Sequence, residues 1–363
     1  MSAPIARASI RSELLKREAL HHPQPRNPKL LWLDKNENLD LKLNKVFEEI
    51  IRNIDLLRTV AVYPDCAPLY LKLSEYLNVP VDGLILSTGS DGVIRSVFEA
   101  FCEPGDIVLF PNPTYAMYEV YSLMYGARLI KVDYQPSENG PTLTACTLID
   151  EINKAHPKIV CLPNPGSPTG SVYQPKELEE IIKAATTVGA LVIIDEAYYP
   201  FYNKTAISLV DQFSNLLIIR TFSKAWGMTG LRVGYGVGSK DLISLLNKVR
   251  PNYETNTLGI VVAERVLDYE AEMLASVDRL NAGRDFFLAE MQALGFKTLP
   301  AHANFLHVNF GESAEEVHQA LSNMVLYKKD FGHPSLKGYS RFSSATYEQF
   351  SPIIKCIKAV IRK

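Results

Sequence analysis

The chain has 363 residues, of which 47% are hydrophobic and 21% charged, with a formal net charge of −2 and a pI near 6.4. This is ordinary globular composition with enough apolar material for a large core, and the length predicts one large domain and one smaller one. Because basic residues are not in excess, nucleic acid is excluded as an expected partner.

Membranes, metals and disulfides are also disfavoured. No apolar stretch approaches the roughly 18 residues that a transmembrane helix needs, and the first 17 residues have no apolar signal-peptide core. The five cysteines form no CxxC pair, and the seven histidines show no metal-ligand spacing. We therefore expect no membrane, no metal, reduced thiols and a cytoplasmic location.

The first two thirds of the chain alternate between short apolar runs and helical patterns. Residues 1–45 are expected to form an N-terminal arm and entry segment, and residues 46–255 a large domain. The apolar runs are residues 84–86, 107–110, 129–132, 159–162, 191–194, 216–219 and 233–237. Helical patterns between them include residues 92–101, 115–125 and 175–188. This alternation predicts an α/β domain with a seven-stranded, mostly parallel sheet covered on both faces.

The stretch between the last two runs is too short for a crossover helix, so we expect one strand there to be antiparallel. After Pro251 the pattern changes. A long helix is expected over residues 259–294, then a strand at 305–308, a helix at 314–324, a strand at 339–343 and a final helix from Tyr347. Residues 256–363 are therefore predicted to form a smaller α/β domain.

Polar segments follow several of the predicted strands, where ligands bind in doubly wound sheets. Residues 87–92 combine glycines with small hydroxyl residues and open a helix, so their N–H groups could hold an anion. An ordinary capped helix start has the same appearance. Residues 164–170 form a turn-rich loop that either borders a ligand or is a plain loop.

Two further segments carry charged residues that indicate a specific chemistry more strongly. Asp195 directly follows a buried strand, where it could meet a buried cation such as a protonated pyridine nitrogen, or could simply cap a helix. Lys224 lies among small residues in a Gly-rich turn, which suits a desolvated amine for Schiff-base chemistry better than a surface lysine. Arg232, eight residues later, could bind a phosphate with two parallel hydrogen bonds.

Taken together, these segments resemble the fold type I, aspartate-aminotransferase-like enzymes that use pyridoxal 5'-phosphate (PLP), and most closely the histidinol-phosphate aminotransferase family. The resemblance runs from about Leu33 to Arg341. It is carried by residues 33–38, Tyr63-Pro64-Asp65, Gly89-Ser90-Asp91, Pro113-Thr114-Tyr115, Pro168-Thr169-Gly170, residues 195–198, Ser223-Lys224, residues 230–232 and Arg341.

The resemblance implies a role for each matching residue. Lys224 would hold PLP as a Schiff base and move the proton, Asp195 would pair with the ring nitrogen, Tyr198 would bond the ring hydroxyl, and Tyr115 would stack on the ring. The phosphate would be held by Gly89, Ser90, Asp91, Thr221, Ser223 and Arg232. Tyr63 would reach the cofactor of a second subunit, which implies a homodimer with shared active sites. Arg341 would bind the substrate carboxylate, and Asn36 would line the substrate side.

Three departures from the family all concern the substrate side. Ser167 stands where an asparagine usually donates to the ring hydroxyl, so Tyr198 or a water would carry more of that bond. Lys328 stands where an arginine grips the substrate phosphate, so a point charge replaces a bidentate fork. The family's N-terminal Pro-Tyr element is absent, and His21-His22-Pro23 stands near its place, where the two histidines could also be solvated loop residues. These departures favour a substrate other than histidinol phosphate, though still small and anionic.

The leading interpretation is an aminotransferase that passes an amino group, from glutamate, to a small and phosphorylated oxo acceptor. The alternative keeps PLP but breaks another bond, as in decarboxylases of threonine phosphate or serine phosphate. A third class, a PLP-binding regulatory protein without activity, is disfavoured because Lys224, Asp195 and Arg232 are all retained and no DNA-binding extension is present.

Overall fold

The computed structural model describes residues 5–11, 13–14, 25–137 and 140–361. Its N-terminal part contains helices that precede the main sheet and one very short strand. These elements are α1 (Ala8–Arg11), β1 (Leu31–Trp32), α2 (Leu41–Arg52), α3 (Leu56–Ala61) and α4 (Ala67–Leu77). Helix α2 begins where the Asp40 carboxylate accepts a hydrogen bond from the N–H of Lys42 and pairs with Arg279.

The following residues form the main sheet and the helices that cover it. In chain order these elements are β2 (Leu84–Ser87), α5 (Gly89–Phe101), β3 (Ile107–Asn112), α6 (Ala116–Tyr125), β4 (Arg128–Asp133), α7 (Ala145–Ala155), β5 (Ile159–Pro163), α8 (Pro175–Thr187), β6 (Leu191–Asp195), β7 (Leu216–Thr221), β8 (Gly234–Gly238), α9 (Lys240–Asn247) and α10 (Thr257–Val266).

The main sheet has seven strands in the order β2-β8-β7-β6-β5-β3-β4. Strands β3 to β7 run parallel, whereas β8 is antiparallel to both of its neighbours, β2 and β7. Alternate residues of the strands enter two separate core clusters, so apolar side chains cover both faces. The predicted fold class, including the antiparallel strand, is confirmed.

The C-terminal part forms a smaller sheet with its own core. Its elements are α11 (Glu270–Ala293), β9 (Lys297–Thr298), β10 (Phe305–Asn309), α12 (Ala314–Leu321), β11 (Val325–Leu326), β12 (Tyr339–Ser343) and α13 (Tyr347–Ile361). The antiparallel order is β12-β10-β9, and β1 pairs in parallel with β11. Leu33 joins the core cluster of this C-terminal part. The domain boundaries after residues 45 and 255 stay a prediction.

The single helix predicted over residues 259–294 is wrong, because a 3₁₀ turn at Leu267–Tyr269 separates α10 from α11. Helix α10 packs against α2, α3 and α4, whereas α11 packs mainly against α13 and also contacts α2, β9 and β10. The tighter turn shifts the helical register, so α11 can continue from the shared partner α2 towards the small sheet and α13. Among the described residues, no helix has the length and hydropathy needed to cross a bilayer.

Candidate active site

A cavity of about 340 Å³ lies where the parallel strands β5, β6 and β7 end, a volume typical of small-molecule sites. Most of the residues predicted for the site line it. They are Asn36, Ser90, Asp91, Tyr115, Ser167, Asp195, Tyr198, Thr221, Ser223, Lys224, Arg232 and Arg341. The fold thus brings together residues that are up to 305 positions apart in the sequence, from Asn36 to Arg341.

Lys224 lies on the loop after β7, and its side chain points at the chain segment that follows β1. Its Nζ donates hydrogen bonds to the carbonyl oxygens of Lys35 (3.0 Å) and Asn36 (3.1 Å). Burial, reinforced by the positive charge of Arg341, lowers the pKa of the Lys224 amine to about 8. About a tenth of this amine is therefore a neutral nucleophile at pH 7, far more than for an ordinary lysine.

Asp195 ends β6 and is 5% exposed. Its carboxylate accepts hydrogen bonds from the Tyr118 hydroxyl (2.8 Å) and from the N–H of Ala197 (3.0 Å). Burial raises the pKa of this carboxyl to about 6, because neither partner carries a compensating positive charge. A ligand cation at this position would restore the ionised form.

The Tyr198 hydroxyl lies between two polar side chains at the cavity wall. It accepts a hydrogen bond from Asn36 Nδ2 (3.0 Å) and donates one to Ser167 Oγ (3.3 Å). The edge of its ring packs against Phe305, with the ring centroids 5.3 Å apart. Asn36 therefore supplies an amide on the side of the cavity where Ser167 replaces the family's asparagine.

The start of α5 and the loop between β7 and β8, which carries Arg232, form a cradle for an anion. Arg232 Nη1 lies 3.3 Å from Ser223 Oγ. A Cβ on Gly89 would come within 2.7 Å of Arg232 Nη2, and one on Gly234 within 2.3 Å of the Ser90 nitrogen. Only glycine allows this approach of β8 and the guanidinium to the first turn of α5. Helix N–H groups, hydroxyls and a guanidinium together suit a phosphate.

Tyr115 forms another wall of the cavity. Its hydroxyl donates to Asp91 Oδ1 (3.3 Å), and the hydroxyl of Tyr121 donates to the other carboxylate oxygen of Asp91 (3.0 Å). Burial raises the pKa of the Tyr115 hydroxyl, so the ring stays neutral. Asp91 thereby fixes the aromatic face that borders the cavity.

Arg341 projects from β12 beside His307 of β10. Its Nη2 donates to the carbonyl oxygen of Asp34 (3.0 Å), and its guanidinium carbon lies 5.2 Å from the ring centroids of both Phe305 and Phe331. Over the residues that the structure describes, no carboxylate pairs with it. Burial lowers its pKa, and the guanidinium is available for a substrate carboxylate.

The remaining predicted residues, Gly89, Tyr63 and Lys328, do not line the cavity, although Gly89 lies against the Arg232 guanidinium in the anion cradle. Tyr63 is 74% exposed and stacks on Tyr253, with the ring centroids 4.2 Å apart. The backbone of Lys328 bridges to Arg341, but its side chain is exposed near Phe331. The substrate-binding role of Lys328 stays a prediction. The segment His21-His22-Pro23 lies outside the described residues.

Sequence reasoning missed Tyr118 and Thr229. Tyr118 is a fully buried helical tyrosine, which reads as core, and only the packing of α6 beside β6 reveals its bond to Asp195. The Thr229 hydroxyl donates to the Ser223 carbonyl oxygen (2.7 Å) and so ties the two ends of the lysine loop together. Its position in a segment rich in small residues was the one available signal.

The cavity offers a partner for each functional group of PLP. Lys224 suits the aldehyde, Asp195 the ring nitrogen, Tyr198 the ring hydroxyl and the cradle at Ser90 and Arg232 the phosphate. Burial raises the pKa of the Asp195 carboxyl, and a pyridinium in particular would stabilise its ionised form. The fold and the site together define a PLP-dependent enzyme of fold type I.

Comparison with known proteins identifies the family. The family model described as "Aminotransferase class I and II" matches residues 28–350, and the chain belongs to this family. It is a PLP-dependent aminotransferase that resembles the histidinol-phosphate aminotransferases. The histidinol-phosphate aminotransferase of Thermoanaerobacter pseudethanolicus is 35% identical over 321 residues, which cover 86% of this chain and 89% of the relative.

Solved structures share the fold at lower identity. The histidinol-phosphate aminotransferase from Sinorhizobium meliloti in complex with pyridoxal-5'-phosphate has a TM-score of 0.78 at 19% identity, covering 92% of this chain and 90% of that one. The L-threonine-O-3-phosphate decarboxylase from Porphyromonas gingivalis has a TM-score of 0.77 at 20% identity, covering 92% and 100%. Because both an aminotransferase and a decarboxylase match equally well, the fold alone does not choose the reaction.

Proposed function

We propose that Lys224 carries PLP and that this enzyme transfers an amino group from glutamate to a small, phosphorylated oxo compound. The observation that carries the proposal is the meeting of Lys224, Asp195 and Arg341 in one cavity, with Asp195 and Lys224 at the ends of neighbouring strands and Arg341 from the C-terminal part. Bound PLP would supply an electron sink for the bond that breaks. The protein would supply binding, orientation and proton transfer.

Each residue has a task that its surroundings support. The Lys224 amine, with its pKa near 8, can accept and return a proton at the substrate carbon next to the nitrogen. Asp195 would be kept ionised by the ring nitrogen and would keep that nitrogen protonated. Tyr198 would donate to the ring hydroxyl, and Tyr115 would stack on the ring. Gly89, Ser90, Asp91, Thr221, Ser223 and Arg232 would hold the phosphate.

The substrate end of the proposal rests on positive charge. Arg341 would bind a carboxylate of glutamate, with Asn36 lining the same side, and Lys328 would attract the acceptor's phosphate from the exposed rim. Curated relatives are named for histidinol phosphate, whereas Ser167 and Lys328 depart from that family's pattern. Histidinol phosphate is therefore one member of the substrate panel rather than the assumed substrate.

We also propose a homodimer in the cytoplasm. Helix α3 and the residues after it expose a run of large apolar side chains, including Leu57 (85% exposed), Val60 (73%) and Tyr63 (74%), and such a run marks an interaction surface. In a homodimer Tyr63 would reach the partner's cofactor. Five unpaired cysteines suit a reducing compartment.

The test of function is a half-reaction followed by visible absorbance. Adding glutamate to the yellow holoenzyme should convert it to the pyridoxamine form, and a panel of phosphorylated oxo compounds should reverse the change. Release of carbon dioxide from phospho-amino acids, without the pyridoxamine form, would instead identify the decarboxylase.

Lys224→Ala tests the cofactor lysine. The variant should lose the visible absorbance of the covalently bound cofactor, and turnover should fall by about a thousandfold or more, because the proton carrier is gone. Lys329→Ala removes an exposed lysine outside the cavity and should leave both unchanged. Borohydride reduction that still attached the cofactor to Lys224→Ala would contradict the assignment.

A further inference from the structure

The segment from Asp34 to Glu37 contacts three groups of the active site at once. Its carbonyl oxygens at Lys35 and Asn36 accept the hydrogen bonds of Lys224 Nζ. The carbonyl oxygen of Asp34 accepts from Arg341 Nη2 (3.0 Å). Since the Asn36 amide also bonds the Tyr198 hydroxyl, any displacement of this segment would move all three contacts.

Arg26 holds both ends of this segment. Its two terminal nitrogens donate to the two carboxylate oxygens of Glu37 at 3.0 and 2.9 Å, and Nη2 also bonds the carboxylate of Asp34. The guanidinium stacks over Trp32, 4.3 Å from the ring centroid. The side chains of Arg26, Asp34 and Glu37 are 20%, 19% and 18% exposed, so these charges are largely shielded from water.

We propose that Arg26 is a positioning residue for the transamination site: it fixes the segment from Asp34 to Glu37 against Lys224 and Arg341, and it neutralises Glu37, which acts on the cofactor lysine, and Asp34, which lies at Arg341. The inference rests on the proposed role of Lys224. A bidentate guanidinium suits this task, because one residue fixes two carboxylates three positions apart.

The charges around the Lys224 amine explain why the neutralisation of the carboxylates by Arg26 matters. The charged groups that act on the Lys224 amine are Arg341 and Arg232, which lower its pKa, and Glu37 and Asp195, which raise it. Desolvation is the largest influence on the amine, and Arg26 neutralises the nearby Glu37. Without Arg26 the uncompensated Glu37 would favour the protonated amine, and Glu37 and Asp34 together would repel anionic substrates.

Arg26→Gln tests the inference in the holoenzyme through the pH midpoint of the visible absorbance change of the bound cofactor. We expect the midpoint to rise by about 0.5 to 1 pH unit. The KM for glutamate should rise several-fold more than kcat falls, because the contact between Arg341 and Asp34 loosens.

Arg279→Gln is the matched control. It breaks a similar, partly buried ion pair with Asp40, which does not line the cavity, and should leave the midpoint unchanged. Arg26→Lys keeps the charge and should keep the midpoint near that of the wild type. Glu37→Gln should lower the midpoint, and Arg26→Gln with Glu37→Gln should return it towards the wild type.

The outcomes separate this inference from the proposed function. If Arg26→Gln keeps the visible absorbance with an unmoved midpoint, or if Arg279→Gln shifts it equally, the inference is wrong while Lys224 remains the cofactor lysine. If Lys224→Ala keeps the covalent cofactor, the proposed function itself is wrong. Should Arg26→Gln fail to fold, Glu37→Gln decides, since an unchanged or raised midpoint in that variant overturns the inference.

Discussion

The pKa values of Asp195 and Lys224 are shifted in opposite directions, and burial is the physical reason for both shifts. Burial raises the pKa of the Asp195 carboxyl to about 6 and lowers that of the Lys224 amine to about 8. In both cases the low-dielectric site disfavours the charged form. The protein without cofactor therefore holds two groups at an electrostatic cost that a complementary ligand relieves.

The cost of burying the charged Asp195 carboxylate predicts that the contribution of this residue to the unfolding free energy falls as the pH rises. The folded pKa, about 6, lies above the ordinary value of 3.8, so the folded protein binds this proton more tightly than the unfolded chain. The unfolding free energy contributed by Asp195 thus falls as pH rises from about 4 to 6 and stays low above that. Without PLP, Asp195→Asn should be more stable than the wild type at pH 7.5 by about 1 to 3 kcal/mol.

Urea unfolding of both cofactor-free proteins at pH 7.5 and pH 4.5 measures this difference. It should shrink at the lower pH, where Asp195 of the wild type is itself protonated. Adding PLP should reverse the order at pH 7.5, because the ring nitrogen stabilises the wild-type carboxylate. An equal difference at both pH values would contradict the burial argument.

At the scale of elements, the phosphate cradle depends on how closely β8 approaches α5. Gly234 begins β8 directly against the Gly89–Ser90 peptide. The antiparallel direction of β8 places this strand start at the edge where the parallel strands end. Strand direction and glycine content therefore act together to form the cradle.

Gly234→Ala should push the start of α5 away from β8. The added Cβ would lie 2.3 Å from backbone atoms that cannot rotate aside, so we expect a loss of about 1 to 3 kcal/mol in unfolding free energy and weaker PLP binding. Gly230, in the turn that precedes β8, has no atom within 4 Å of a new Cβ, so Gly230→Ala should change stability by less than about 0.5 kcal/mol. Urea unfolding and PLP titration of the pair measure both effects, and equal losses would refute the steric argument.

Much of the fold could be predicted because the strands of the main sheet, apart from the edge strand β4, are largely buried on both faces. Their continuous apolar runs identify them without knowledge of their partners. The two-residue pair of β1 with β11 could not be predicted, since it joins Leu31 to Val325 across the chain. The turn at Leu267–Tyr269 contains neither glycine nor proline, so the sequence carries no signal for the break.

The site residues also divide into those that the sequence could predict and those that it could not. Asp195 is the last residue of β6 and Lys224 lies shortly after the end of β7, so the common edge of the parallel strands predicted their meeting. Tyr118 and Arg26 act through contacts that tertiary packing alone creates. Lys328 was chosen by its place in the family's pattern, and that place says nothing about the direction of its side chain.

At the scale of the whole molecule, the apolar surface of α3 has no partner within the described chain. Leu57 is 85% exposed and Val60 73%, and both lie close in sequence to Tyr63. A second copy of the chain would cover this surface and bring Tyr63 to a neighbouring cavity. A substitution that disrupts this surface should therefore abolish both dimer formation and activity.

Leu57→Asp should shift the protein towards a monomer in light scattering and lower its specific activity. The stability of the monomer should change by less than about 0.5 kcal/mol, because the replaced side chain is exposed there. Leu274→Asp makes the same change at an exposed leucine of α11 and should leave assembly intact. A fully active monomer of Leu57→Asp would contradict the shared site.

The antiparallel strand β8 has one more consequence, for competition between amines. Because β7 and β8 meet as neighbours, the loop that carries Lys224 is anchored at both ends on one edge of the sheet, and the N–H of Phe222 bonds the carbonyl oxygen of Val233 at its base. In its proposed role as the cofactor lysine, Lys224 would therefore keep its amine at a high effective concentration beside the cavity. The amine of an amino acid from solution would compete with the tethered Lys224 amine for the same cofactor. A good amino donor must therefore bind through contacts made by its other groups.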